Sequence, residues 1–328
     1  VRRNKTVFAA AAAVMAALVV GLGFSLYLFV QEREALQKER DALVRAVAAE
    51  RQEKLLREQA EKGLALERKM REIASVAPKL STAGMLMSQG LFDKAEELMS
   101  DVPPLIPSSS GIYNVLGNLR GHQGQWQRAI TNFVKSIEVD PTNHIGFQYL
   151  APLYVQTGDL KVYYQLRERI LREFGTNSDP TVAERMAKVS MILPPPADAL
   201  ETLAKMASVS VGAGPTAEYW AYYEMVKGLA EYRQAYFADA VEWLQKVVSK
   251  GGDPARTVQA YAVLAMAQYQ QGQRSEARAT LAAGNALADK DLETDKVLNW
   301  HDRITALALL REAGALVQSD SKESGVSQ

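Results

Sequence analysis

The chain contains only three histidines, His122, His144 and His301, and no cysteine. This excludes disulfides, thiolate metal sites and cysteine nucleophiles, and three scattered histidines do not make a histidine-rich metal centre. Two short strings hold letters that chemistry could use. His301-Asp302-Arg303 offers an imidazole, a carboxylate and a guanidinium, but in the wrong order for a catalytic loop and inside an expected helix, so it reads as the surface of that helix. Gly212-Ala213-Gly214-Pro215 has two glycines of a phosphate loop, yet it lacks the third glycine, the lysine and the Ser/Thr, and proline follows; it reads as a linker. Zinc-protease, nucleophile-elbow and Walker patterns are absent. The expectation is therefore no catalytic, cofactor-binding or metal-binding residue in this chain.

Recognition chemistry remains. Hydrophobic residues are 48% and charged residues 23%, with formal net charge zero, so the chain is ordinary for a globular protein and carries no basic excess for nucleic acid. The aromatic group Tyr219, Trp220, Tyr222, Tyr223, Tyr232, Tyr236 and Phe237 is dense. Its first reading is helix–helix core, where large side chains oppose small ones; a peptide-contact surface is the alternative.

The elements that must position these residues follow from an internal period. Gly90, Gly124 and Gly158 are 34 residues apart, and each is followed by Phe92, Trp126 or Leu160 and then by Ala95, Ala129 or Tyr163. The best copy, 110–143, carries Tyr113, Leu116, Gly117, Gly124, Ala129, Phe133, Ser136 and Pro141. Period and pattern resemble the helix–turn–helix unit of the tetratricopeptide repeat (TPR). Gly117 and Ala129 fall where paired helices approach, Gly124 where the first helix ends, and Pro141 where the second closes. Weaker copies cover 76–109 and 144–177. Two more are marked by Leu229, Ala230, Ala240, Leu244 and Val247, and by Tyr261, Leu264, Ala265, Gly272, Ala277 and Leu281.

The fold expected is all-α: an N-terminal transmembrane helix, a long helical stalk and a TPR α-solenoid. Its parts are an anchor at 1–30, a charged stalk at 31–76, repeats at 77–178, a degenerate helical pair at 179–212, and further repeats with a capping helix at 213–318. A polar tail at 319–328 reads as disordered. The cap carries an apolar stripe of Trp300, Ile304, Leu307, Leu310 and Leu316. In the TPR family the first helix of each repeat lines a concave groove. That resemblance puts Asn114, Asn118, His122, Gln148, Gln156, Met225, Tyr232, Met266, Tyr269 and Gln270 toward a protein or peptide ligand. The family's carboxylate clamp is not supported, because Tyr149 stands where the second repeat's asparagine would be.

Residues 7–30 carry no charge, and Ser25 is their only strongly polar side chain. As a helix they would rise about 36 Å, enough to span a hydrocarbon core of about 30 Å. A single-pass membrane location with bilayer contact through 7–30 is therefore expected, with a cleaved signal peptide as the rival. The positive-inside rule leaves the orientation open, since Lys and Arg occur on both flanks. The stalk is rich in helix formers, and Leu36, Leu43 and Leu64 share a heptad phase that Glu50 and Arg57 interrupt. A solvated single helix is favoured over a dimeric coiled coil, leaving a homodimer through the stalk as the alternative.

The chain as a whole resembles the C-terminal half of bacterial eukaryotic-like transmembrane serine/threonine protein kinases that carry TPR repeats. The likeness lies in Val1-Arg2-Arg3-Asn4-Lys5 and the apolar run after it, in Ala183-Glu184-Arg185 with Ile192-Leu193-Pro194-Pro195, and in Lys227-Gly228-Leu229-Ala230-Glu231-Tyr232-Arg233. It continues in Ala238-Asp239-Ala240-Val241-Glu242-Trp243-Leu244, in the string 260–267, and in Asn299-Trp300-His301-Asp302 with Leu309-Leu310-Arg311-Glu312-Ala313. The resemblance implies a kinase domain before Val1, which would hold ATP and Mg, and repeats outside the cytoplasm. The chain begins at Val1, not methionine, which reads as processing or a fragment. The glycine loop, ATP lysine, catalytic aspartate and metal-binding aspartate have no counterpart, so no kinase residue carries over. The alternatives are a free-standing membrane-tethered TPR adaptor without an enzyme domain and an exported soluble TPR protein.

Overall fold

The computed structural model describes residues 3–100, 102, 109–292 and 299–318, with no side-chain description for 3–13 and 16. The tail expected to be disordered, 319–328, lies outside the described residues. Every regular element among those described is helical: α1 (Arg3–Ser88), α2 (Phe92–Met99), α3 (Ser110–His122), α4 (Trp126–Val139), α5 (His144–Thr157), α6 (Leu160–Phe174), α7 (Pro180–Ser190), α8 (Ala197–Val211), α9 (Trp220–Arg233), α10 (Phe237–Lys250), α11 (Pro254–Gln270), α12 (Arg274–Leu287) and α13 (Trp300–Val317). A short π-helical turn, Ala288–Leu292, follows α12. The chain divides into two compact units, Val1–Glu72 and Ile73–Gln328.

In the first unit α1 runs unbroken through Gly63, and further on it also passes through Pro78. Strong helix formers and exposed i,i+4 ion pairs such as Arg57–Glu53 and Arg71–Glu67, both 2.6 Å, sustain it. Its described side chains from 17 to 72 are exposed, Leu36, Leu43 and Leu64 included. The single-pass membrane expectation is corrected: no helix among the described residues is long and apolar enough to cross a membrane. The bilayer contact through 7–30 and the extracytoplasmic placement of the repeats fall with it.

In the second unit the helices pair in sequence, α3 with α4 and α5 with α6 through to α11 with α12. Three pairs touch backbone to side chain, α11–α12 among them, where a Cβ on Gly284 would lie 2.9 Å from the Tyr261 Cβ. A Cβ on Gly117 would lie 2.7 Å from the Phe133 ring, and one on Gly228 would lie 2.6 Å from Leu244, so only glycine admits these contacts. In four of the five pairs the turn uses a left-handed residue two positions before the second helix, three times a glycine: Gly124 at φ +70°, Gly158 at +79° and Gly272 at +80°. The α9–α10 turn puts Ala235 in that place at φ +64°, without glycine's freedom.

Side chains also start several helices. Asn143 accepts from Ile145 N in α5, and Asp179 accepts from Thr181 N and Val182 N in α7. Asp253 accepts from Arg256 N in α11. Pro180 and Pro254 open their helices at a position where no N–H is needed. Tyr163 stands at a small-residue position, yet it is fully buried and its hydroxyl donates to Val189 O at 3.0 Å. One continuous core reaches from Ala129 to Val317, and a smaller one gathers Val76, Ala83, Ala95, Met99, Ile112 and Leu119.

The last helix departs from the role expected of it. α13 does not only cap the end of the solenoid; it lies along the inner face. Trp300 packs on Gly121 of α3, where a Cβ would sit 2.3 Å from the indole. Its ring centroid is 5.6 Å from that of Tyr149 in α5. Asp302 pairs with Lys188 of α7, Glu312 with Arg233 of α9, and the Asp302 carbonyl accepts from Gln259 of α11. The first helix of each of the five pairs therefore meets α13.

Candidate functional site

Trp300 stands where α13 meets α3 and α5 on the inner face. Its Nε1 donates to Asn118 Oδ1 at 2.7 Å, and its ring lies 6.0 Å from Trp126 and 6.2 Å from Phe133, centroid to centroid. Three cavities surround this end of α13. One, of about 400 Å³, lies between the end of α1, α3 and α5 and is lined by Met87, Asn114, Val115, Asn118, His122 and Tyr149 among others. A second, of about 420 Å³, is lined by His122, Trp126, Gln156, Trp300, Arg303 and Leu307 among others. The third, of about 170 Å³, lies between α5, α7, α9 and the start of α13. The first two share His122, and the first and third share Ile145 and Tyr149.

The expected groove residues separate into three groups. Asn114, Asn118, His122, Gln148 and Gln156 line these cavities. The carbonyl oxygens of Asn114 and Gln148 are buried without a hydrogen-bond partner. The two residues are 34 positions apart, at the same place in successive repeats. Asn118 is engaged by Trp300, and His122 stacks on Phe92 at 4.8 Å. Tyr232, Tyr269 and Gln270 belong to the other end of the solenoid: Tyr232 meets Phe237, Arg274 sits over the Tyr269 ring at 4.1 Å, and Gln270 is exposed. Met225 and Met266 are corrected. At 1% and 0% exposure they are core side chains with no face to offer a ligand.

His301 and Asp302 are also corrected, since neither is on a surface. Both are buried, because the helix that carries them is enclosed. Asp302 and Glu184 each place an oxygen 3.1 Å from Lys188 Nζ. Burial alone would lower the Lys188 pKa, but Asp302 and Glu184 outweigh it and hold the ammonium charged. Burial raises Asp302, yet Lys188 and His301 carry it below the ordinary carboxylate value. Glu184 goes the other way, raised chiefly by burial with Lys188 only partly opposing. His301 is pushed down to about 4 by burial, with Lys188 and Arg185 adding to the effect against Asp302. It is a neutral imidazole at pH 7. A buried triad of this kind is weak evidence for net stability, but breaking it would strand a charge, so it fixes where α13 docks. Arg233 adds a second clamp, donating to Glu312 Oε2 at 2.7 Å and to Met191 O at 3.0 Å.

The signal for an enclosed α13 was present in its letters. Beyond the stripe of Trp300, Ile304 and Leu310, it carries Ala306, Ala308, Leu309 and Ala313, all buried, so it is apolar on more than one face. A helix apolar all round belongs inside. No group of His, Cys, Asp or Glu among the described residues could hold a metal.

This geometry defines the class: among the described residues, an all-helical, TPR-like solenoid. No family model matches the chain, and no curated protein matches it. Solved structures are similar at low identity. A tetratricopeptide repeat protein from Parabacteroides merdae is 13% identical over 80% of this chain and 95% of its own, with a TM-score of 0.44. PilF of Pseudomonas aeruginosa is 13% identical over 68% of this chain and 96% of its own, with a TM-score of 0.45. A chain of an APC/C hetero-tetramer is 14% identical over 75% of this chain and 45% of its own, with a TM-score of 0.49.

Proposed function

We propose that the chain binds an extended segment of a partner protein at the α3–α5 end of its inner face, beside Trp300. The observation that carries this reading is the pair of adjoining cavities, about 400 and 420 Å³, in which Asn114, Asn118, His122 and Gln156 come together. Asn114 supports it further: its buried carbonyl oxygen lacks a partner and can accept from a peptide N–H. The opposite end offers no such room, since α13 lies on α11 there and the facing side chains are buried. The test is photo-crosslinking from the full chain against peptides selected on an array. A crosslinker replacing Gln156 is expected to capture the selected peptides, and one replacing Gln270 is not. Capture from Gln270 alone overturns the proposal.

Two finer readings rest on less. The residue strings shared with bacterial eukaryotic-like serine/threonine kinases support a place as the sensor part of such a polypeptide, and a free-standing adaptor is the alternative. An upstream reading frame that encodes no kinase domain sinks the first. The exposed Leu43, Val44, Val47 and Leu55 support pairing of two copies along residues 31–76. A monomeric sedimentation coefficient for the full chain sinks that one.

A further inference from the structure

Eleven of the twelve side chains around the smallest inner cavity are polar, Ile145 being the exception. That is an unusual lining for the interior of a helical solenoid, and hydrophobic packing does not explain it. At about 170 Å³ the cavity has room for roughly six waters at about 30 Å³ each, or one molecule of similar bulk. Its chemistry is two-sided.

On the acceptor side stands Gln148, 6% exposed, whose Oε1 has no hydrogen-bond partner. Beside it stand the Glu184 and Asp302 carboxylates, each with an oxygen 3.1 Å from Lys188 Nζ. The Gln148 oxygen is the one here that lacks a donor. On the donor side stands Arg185. Its Nη1 lies 3.0 Å from His144 Nε2. A guanidinium can only donate, so His144 accepts there as a neutral ring. Burial and Arg185 both lower the His144 pKa, in keeping with that role. The rest of the guanidinium fork remains for a planar anion. Tyr149, Tyr219 and Tyr222 complete the walls with rings and hydroxyls.

The formal charges of Glu184, Asp302, Arg185 and Lys188 cancel. A simple cation or anion would meet its own sign in the wall as well as the opposite one. A molecule that carries both charges can satisfy both sides at once. We propose that this cavity binds a free α-amino acid as a zwitterion, its ammonium on Gln148 Oε1 and the neighbouring carboxylates, its carboxylate on Arg185. This site is separate from the proposed peptide groove, although Ile145 and Tyr149 border both.

The full chain is titrated with individual common α-amino acids up to about 10 mM, where even a millimolar dissociation constant would register. Calorimetry and thermal unfolding are the readouts. At least one amino acid is expected to bind saturably and raise the unfolding temperature. Its N-acetyl and methyl ester forms, each lacking one charge, are expected to bind at least about tenfold more weakly, as removal of a charge-assisted hydrogen bond predicts. Gln148→Leu is expected to abolish binding. No saturable binding by any amino acid overturns the proposal and leaves the cavity to water. Equal binding of the blocked forms also overturns it, and that comparison uses the unaltered protein, so it holds even if Gln148→Leu fails to fold. Peptide capture at Gln156 is read separately and can succeed or fail without this result.

Discussion

The two ends of the inner face are built from the same repeat and behave differently. α11 and α13, which meet at one end, are both rich in buried small side chains: Ala262, Ala265 and Ala267 in one helix, Ala306, Ala308 and Ala313 in the other. Helices with such faces approach closely and leave no void. Where α3, α5 and α7 meet the start of α13, the side chains are amides, tyrosines, charges and one tryptophan. These have polar atoms that need partners, so they cannot collapse on each other, and three cavities remain. A repeat domain can therefore close one end of its inner face with its own chain and leave cavities at the other. The choice lies in side-chain size and polarity alone.

Acid should disturb the polar end most. His301 ionises near 6.5 when unfolded but only near 4 when buried, so the unfolded chain binds more protons between those values. Stability is full above pH 6.5 and falls as the pH drops toward 4, by up to about 3 kcal/mol at about 1.4 per unit. Glu184, whose pKa is raised, opposes this at the acid end, so the useful quantity is the difference from His301→Asn. Urea unfolding across that range should show a shallower acid slope in the variant. Equal slopes would mean that His301 is solvated rather than buried.

Volume tests the contrast directly. Ala265→Leu at the sealed end should cost about 1 to 3 kcal/mol by overpacking. Asn114→Leu at the open end should be near neutral, because it fills existing space and removes an unpaired carbonyl. Equal losses in chemical denaturation would erase the distinction drawn between the two ends.

The smallest effect sits in the turns. Gly124→Ala should destabilise by about 1 kcal/mol, since it puts a Cβ into a left-handed conformation. Ala235→Gly should do the reverse by a similar or smaller amount, because Ala235 already holds φ +64°. Calorimetric melts that move in the same direction for both would break the equivalence of the two turns.

Much of the solenoid was legible in advance because its rules are local. A left-handed turn selects glycine at 124, 158 and 272, and a helix pair in contact selects glycine at 117, and both leave letters at a fixed interval. Ala235 left no such letter, although it takes the same left-handed place at φ +64°. The amides at 114, 118 and 148 could be placed on the inner face by repeat position. Met225 and Met266 were misplaced by the same logic, because a residue on a groove-facing helix is buried once the helix has neighbours on every side.

Helix content, pairing and the short turns were determined by the sequence itself, since each depends on residues within one repeat. The path of α13, the burial of His301 and Asp302, and the triad with Lys188 and Glu184 were decided only in the folded molecule. Glu184 and Asp302 are separated by more than a hundred positions, and no local periodicity carries information across that span. Only the curvature of the stacked pairs brings α7 and α13 together, and with them the charges that make the polar end of the groove.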